Sequence, residues 1–182
     1  MSRRSSAAHL TRAALGAALT AVSAQLAVPL PMTEVPFTLQ VFAILVCGLI
    51  LGPAGGALSQ AVYVGLGAFG APVFAGLSSG IGVLLGPTGG YLLAAPFAAA
   101  AAGWLASRRA QGRPTYRRLL PAAVVGVVLI YLGGVLGLQA YFGYGPGPAI
   151  VQGVLPFIAF DLIKAALAAA VAQRVLGARS RF

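Results

Sequence analysis

Residues 155–175 read LPFIAFDLIKAALAAAVAQRV, a run apolar enough to cross a bilayer that nevertheless contains an acid and a base. Asp161 and Lys164 are three residues apart, so a helix places both on one face, about one turn from each other. An unpaired charge at the bilayer centre costs about 2.5 to 3.5 kcal/mol. We therefore expect both groups to face protein or a ligand rather than lipid.

The acid and the base are also rare in this sequence. The chain has two acidic residues, Asp161 and Glu34, and Lys164 is its only lysine. A structural clasp between helices is one explanation of such a pair. Because the chain contains no other aspartate and no other lysine, we favour a binding role for both side chains.

The composition is typical of a polytopic membrane protein, with 59% hydrophobic residues, 8% charged residues, 25 glycines and 12 prolines. The single cysteine, Cys47, and the single histidine, His9, give neither a disulfide framework nor a metal-ligand spacing. No Ser/His/Asp set, paired carboxylates or cofactor fingerprint is evident. We expect a protein that is not an enzyme and that uses no metal or cofactor.

The arginines lie in three clusters, and their positions indicate the topology. Lysine and arginine are enriched on the cytoplasmic side of membrane proteins. We therefore expect both termini and a basic loop, residues 107–118, in the cytoplasm. This pattern explains the net charge of +10 without nucleic-acid binding, which interleaves basic residues with exposed aromatic ones. The clusters consist of Arg3, Arg4 and Arg12, then Arg108, Arg109, Arg113, Arg117 and Arg118, then Arg174, Arg179 and Arg181.

Turn signals divide the apolar sequence into six spans of one membrane domain, residues 1–182, and predict an all-α fold. The apolar length of residues 10–106 fits four spans of about 20 residues each. Prolines and glycines place the breaks at residues 28–40, 52–56 and 70–86. The predicted helices are residues 10–28, 38–52, 54–70, 87–106, 119–142 and 153–175.

Small residues recur every four positions in the first apolar run, which allows another helix to approach closely. Ala13, Ala17 and Ala21 share one face, and Ala14 and Ala18 share the face beside it. These faces suit either internal packing or the docking of a partner subunit.

Two loops on the expected outer side carry further polar groups. Thr38 and Gln40 lie at the mouth of the second helix, behind the proline-rich loop. The second loop, residues 71–91, reads APVFAGLSSGIGVLLGPTGGY, and its glycines let the backbone come close to a ligand. A glycine-rich turn at the start of the fourth helix explains the same residues without a ligand. The candidate substrate-binding residues are Asp161, Lys164, Ser79, Tyr91, Thr88, Gly86, Thr38 and Gln40.

A pocket under these two loops would offer one acceptor, one cation and several hydroxyl groups between apolar walls. Such a set suits a partly apolar small molecule with a polar head and a carboxylate. Binding and passage of a small molecule is therefore the function class that we favour.

Three motifs resemble the BioY family, the biotin-specific substrate-binding subunits (S components) of energy-coupling factor (ECF) transporters. They are VPFTLQ at residues 35–40, the segment 71–91, and the D-x-x-K of Asp161 and Lys164. The resemblance covers about residues 10–176. It implies six transmembrane helices in the plasma membrane of a prokaryote, with biotin held near the extracellular side.

The resemblance also implies roles for individual residues. It places Asp161 and Lys164 in contact with biotin and adds contacts from the loop before GPTGGY, to which we assign Ser79. The small-residue face of the first helix is similar to the face through which S components dock on their transmembrane coupling subunit. ATP hydrolysis would occur in separate ABC-type ATPase subunits. We hypothesise that Asp161 accepts from ligand N–H groups, that Lys164 donates to a ligand oxygen, and that the two pair when the site is empty.

Three alternatives remain open at this stage. The first keeps the fold but changes the ligand to another vitamin or small heterocycle. The second is a structural subunit of a membrane complex, in which the pair clasps helices. The third, a proton-coupled carrier, is disfavoured because Lys164 would keep Asp161 ionised.

Overall fold

The computed structural model describes residues 3–108 and 115–179 and is mostly helical. Residues 109–114, which are half of the predicted basic loop, and Arg181 lie outside the described part of the chain. The elements are α1 (Arg3–Gln25), β1 (Ala27–Leu30), β2 (Thr33–Thr38), α2 (Gln40–Ala68), a 3-10 turn (Ala75–Leu77), α3 (Ile81–Leu84), α4 (Gly89–Arg108), α5 (Tyr116–Phe142), α6 (Pro146–Gly153) and α7 (Ile158–Arg179).

The proline-rich loop forms a β-hairpin, so the prediction of a purely helical chain is wrong at this point. Strands β1 and β2 pair antiparallel, with Ala27 opposite Thr38 and Val28 opposite Phe37. The register is irregular between Val28 and Leu30, on either side of Pro29. Prolines rule out a helix here, but the edges and bulges of a sheet tolerate them because the missing N–H is not needed there.

The chain reverses its direction inside α2, at Gly52. This residue has φ 76° and ψ −177°, a conformation that glycine adopts readily and that no helix contains. A Cβ atom added to Gly56 would lie 2.7 Å from the Cα atom of Gly48, although eight residues of straight helix span about 12 Å. The two arms of α2, residues 40–51 and 53–68, therefore pack side by side. The predicted glycine break is confirmed.

Helices α4 and α5 touch through glycines. A Cβ atom on Gly90 would clash with the carbonyl oxygen of Gly133 and would lie 2.9 Å from the Cα atom of Gly137. One turn separates Gly133 from Gly137, so together they leave a surface without side chains against which the start of α4 packs. This close approach brings the next residue, Tyr91, against Gly134.

The last predicted span, residues 153–175, is not one helix. Helix α6 is separated from α7 by a short turn, and the two helix axes are bent by 58°. Pro156 lies in this turn and has no N–H to continue the helical hydrogen-bond ladder. Helix α6 begins at Pro146, because a proline is favourable in the first turn of a helix.

The first small-residue face of α1 packs inside the protein, which corrects its assignment as a docking face. Ala13 and Ala17 are 2% and 3% exposed, and Ala21 packs against the same core. The second face, with Ala14 and Ala18, is exposed. Sequence reasoning had no means to separate the two faces, since either allows close helix packing.

By length and composition alone, three helices within residues 3–108 and 115–179 are candidate membrane spans, namely α4, α5 and, if its break at Gly52 is disregarded, α2. A fourth span results if α6 and α7 together form one broken span. Helix α7 buries a row of alanines, so its backbone approaches α2 and α5 closely. This packing brings the charged first turns of α7 into the protein interior. The buried alanines are Ala165, Ala168, Ala169 and Ala172.

Candidate functional site

Asp161 and Lys164 form a buried ion pair at the start of α7. The ammonium nitrogen of Lys164 lies 2.7 Å from Oδ1 of Asp161. Asp161 is only 3% exposed and Lys164 only 5%. Asp161 also belongs to the first turn of α7, where the helix dipole favours a negative charge. The two side chains pair, as their spacing in the sequence predicts.

Lys164 also connects α7 to the β-hairpin. Its ammonium group donates to the backbone carbonyl of Thr38 at 2.6 Å. The same nitrogen lies 4.0 Å from the ring centroid of Phe37, within the range of a cation–π contact. An ammonium group has three N–H bonds, and two of them donate to Asp161 and Thr38.

Tyr131 supplies the second hydrogen bond to Asp161. Its hydroxyl group donates to Oδ2 of Asp161 at 2.7 Å, so each carboxylate oxygen has one donor. Sequence analysis missed Tyr131, because a tyrosine in an apolar span is usually found near the membrane interface. The available signal was its position near the middle of α5, where a buried hydroxyl group needs a partner.

A cavity of about 260 Å³ adjoins this group. Six of the eight predicted binding residues line it: Thr38, Gln40, Thr88, Tyr91, Asp161 and Lys164. Tyr131 and Ser78 add polar groups, and the walls are apolar. The apolar lining residues are Val35, Pro36, Val41, Ile44, Phe74, Ala75, Val83, Leu92, Ile130 and Phe157.

The other two predicted residues, Ser79 and Gly86, do not line the cavity. Ser79 is exposed, whereas its neighbour Ser78 borders the cavity and donates to the carbonyl of Ala75 at 2.8 Å. Leu77 and Gly80, on either side of the serines, both have positive φ angles, so the backbone turns sharply here. Sequence alone does not specify that turn.

The loop that contains Ser78 is held by a side chain of α1. Gln25 donates through Nε2 to the carbonyl groups of Val73 and Phe74, at 3.2 and 3.1 Å. Its Oε1 accepts from the N–H of Leu77 at 3.0 Å. Gln25 thus positions the two lining residues Phe74 and Ala75, and sequence analysis did not identify it.

Tyr91 has a positioning role besides lining the cavity. Its hydroxyl group donates to the carbonyl of Gly153 at 2.8 Å, which ties the start of α4 to the end of α6. A Cβ atom on Gly153 would clash with that hydroxyl group. A side chain at position 153 would therefore displace the Tyr91 hydroxyl group from this contact.

The chemistry of this site suits binding. It combines one neutralised ion pair and several hydroxyl and amide groups with apolar walls, as small-molecule pockets do. Among the described residues, no group of three or more His, Cys, Asp or Glu side chains is placed to hold a metal ion.

A model of the BioY family matches residues 1–181 of this chain. The chain belongs to the BioY family. A probable biotin transporter BioY of Pyrococcus horikoshii is 44% identical over 171 residues, which cover 94% of this chain and 98% of the relative. The biotin transporter BioY of Thermotoga maritima is 41% identical over 167 residues, which cover 92% of this chain and 95% of the relative.

The fold is also that of a solved structure. The crystal structure of an S component for biotin from an ECF-type ABC transporter superposes with a TM-score of 0.87 at 27% identity. The match covers 96% of this chain and 94% of that one. Membership of the BioY family makes this chain a transport protein rather than an enzyme, and a multi-pass protein of the prokaryotic plasma membrane.

Proposed function

We propose that this chain is the substrate-binding S component of an ECF transporter and that it captures biotin outside the cell for uptake. The observation that carries the proposal is the buried group of Asp161, Lys164 and Tyr131 beside an apolar cavity. The names of the relatives, which are biotin transporters, and of the solved structure support the same ligand.

The ureido ring of biotin offers two N–H donors and one carbonyl acceptor. In our proposal Asp161 accepts from a ureido N–H, and Lys164 donates to the ureido oxygen. The thioether ring then contacts apolar walls such as Phe74 and Phe157. Thr38, Gln40, Thr88 and Tyr91 complete the proposed site, whereas Ser78 replaces Ser79.

Six spans are the topology that we propose, within a single membrane domain of residues 1–182. They comprise α1, the two arms of α2, α4, α5, and α6 with α7. The reversal at Gly52 supports this count, since it leaves an even number of crossings between the first two arginine clusters. Both termini and the basic loop 107–118 then lie in the cytoplasm.

Cysteine labelling in intact cells tests this topology. In a background with Cys47→Ala, we expect a membrane-impermeant maleimide to label Glu34→Cys, because the hairpin faces outward. Ser107→Cys should react only after the membrane is permeabilised. Glu34 and Ser107 are both exposed in the protein, so a reversed labelling pattern contradicts the proposed orientation.

The proposed energy source is a separate set of subunits. The sequence has no nucleotide-binding motif, so ATP-driven uptake needs separate ABC-type ATPases and a transmembrane coupling subunit. The exposed Ala14 and Ala18 face of α1 is the docking surface that we propose for this subunit.

Equilibrium binding of biotin to the purified, detergent-solubilised protein tests the ligand. We expect tight binding in a calorimetric titration and at least a hundredfold loss in Asp161→Asn. Glu34→Gln is the matched control, because it neutralises the only other acidic residue, which is exposed and outside the cavity. Folded protein that does not bind biotin contradicts the proposed ligand, and other vitamins would then be tested.

A structural clasp is the second candidate, because protein groups alone satisfy both charges of the pair. Removing one partner of a buried pair costs about 3 to 5 kcal/mol, whereas replacing both by apolar residues of similar volume is often close to neutral. If the double variant with Asp161→Leu and Lys164→Met retains both its stability and biotin binding, the pair is a clasp only. We expect it to retain stability and to lose binding.

A further inference from the structure

Formal charge in the cavity is confined to one ion pair. Among the described residues that line it, only Asp161 and Lys164 are charged. Their atoms are 2.7 Å apart, so the two charges neutralise each other. The remaining lining groups are neutral hydroxyl, amide, backbone and apolar groups.

The sequence provides no other cation near this cavity. Between Arg12 and Arg108 there is no arginine, lysine or histidine, so the β-hairpin, both arms of α2 and the loop that follows them contribute none. Between Arg118 and Arg174 the only basic residue is Lys164. Arg118 lies 13 residues before Tyr131 on α5, which is about 20 Å along the helix axis.

The positive charge of Lys164 is already balanced by Asp161 and is not available to neutralise an anionic ligand group. Besides Asp161, Lys164 contacts the carbonyl of Thr38 and the ring of Phe37. A ligand carboxylate at Lys164 would also lie beside the carboxylate of Asp161, and like charges repel. Burying a carboxylate without a partner is costly, so that end of the ligand must remain in contact with water.

From this charge distribution we infer that the site binds the ring system of biotin and does not require its carboxylate. Amides formed at the biotin carboxyl group are therefore ligands of this protein, with affinities close to that of biotin. The inference rests on the proposed function and extends its substrate class to carboxyl-amidated biotins.

Calorimetric titration of the full chain in detergent with three ligands tests this inference. Biotin is the reference. The primary amide of biotin has the same shape as the acid but no charge. A biotin N-methylated on the ureido ring keeps the carboxylate and blocks a donor to Asp161. We expect the amide to bind within tenfold of biotin and the N-methylated compound to bind more than tenfold more weakly.

The outcomes separate this inference from the proposed function. A charge-assisted contact to the carboxylate would make the amide at least about tenfold weaker than biotin, and that result overturns the inference while biotin binding stands. If the ureido-methylated compound binds as well as biotin, recognition through the ring is wrong. Folded protein that does not bind biotin at all overturns the proposed function itself.

Discussion

Tyr131 sets the direction of the Asp161 carboxylate. It donates to Oδ2 while Lys164 donates to Oδ1, so the carboxylate plane is fixed before a ligand arrives. We expect Tyr131→Phe to weaken biotin binding about tenfold, because a hydrogen bond to a charged group is worth about 1.5 to 3 kcal/mol. Calorimetric titration measures the change.

Tyr141→Phe is the matched control for this variant. Tyr141 is on the same helix and is 53% exposed, so the loss of its hydroxyl group should leave the affinity unchanged. Equal affinities of Tyr131→Phe and the unaltered protein would show that the hydroxyl group does not position Asp161.

The predictability of the site differs from residue to residue. Asp161 and Lys164 are recognisable from the sequence because placing a charge in an apolar span costs free energy, so charged residues there usually have a function. Tyr131 and Gln25 were missed because uncharged polar side chains are common in such spans and reveal their role only through distant partners. The choice of Ser79 over Ser78 failed because the local backbone turn was unknown.

At the scale of elements, the pairing of α4 with α5 depends on glycine. The added methyl group of Gly90→Ala would clash with the backbone of Gly133, which has no flexible side chain to move aside. We expect this variant to lose about 1 to 3 kcal/mol of stability, as in an overpacked core. Thermal unfolding in detergent, followed by fluorescence, measures the loss.

Gly65→Ala provides the control for the glycine contact. A Cβ atom on Gly65 meets nothing within 4 Å, and alanine favours the helical state over glycine. The melting temperature of this variant should stay constant or rise. Similar losses in both variants would mean that helix packing at Gly90 is not the cause.

The loop between α2 and α4 depends on one side chain from another element. Gln25→Leu removes three hydrogen bonds from the loop to α1. Since that loop carries Phe74, Ala75 and Ser78 of the cavity wall, we expect biotin to dissociate several-fold faster. Stopped-flow release of a fluorescent biotin measures the rate.

Gln173→Leu makes the same change near the end of α7, away from the cavity lining. Its dissociation rate should equal that of the unaltered protein. An unchanged rate in Gln25→Leu would show that the loop is held by other contacts, such as that of the Tyr63 hydroxyl group with the carbonyl of Val73.

The sequence predicts where helices are interrupted better than it predicts the local structure at the interruptions. The break at Gly52 is predicted from the sequence and present in the structure, because glycine followed by proline interrupts a helix. The same prolines that exclude a helix at residues 28–40 do not reveal that two strands pair there. Nor does Pro156 show how far α6 bends from α7, since that angle depends on tertiary packing.

At the scale of the whole molecule, the two faces of α1 have separate roles. Ala17 is buried against the rest of the chain, whereas Ala18, the next residue, is exposed. An exposed row of small residues on a membrane helix allows a second protein to approach closely. If this row is the docking surface for the coupling subunit, a bulky residue there should affect transport without affecting ligand capture.

The variant Ala18→Leu separates these functions. We expect isolated Ala18→Leu protein to bind biotin with unchanged affinity, because no residue of α1 lines the cavity. Uptake of radiolabelled biotin by cells that also produce the coupling and ATPase subunits should fall several-fold, since the leucine keeps the partner helix away. Ala17→Leu is the paired control and should instead lower the melting temperature, because it overpacks the interior. Full uptake by Ala18→Leu would place the docking surface elsewhere, since one leucine at a close helix contact is sufficient to separate the two backbones.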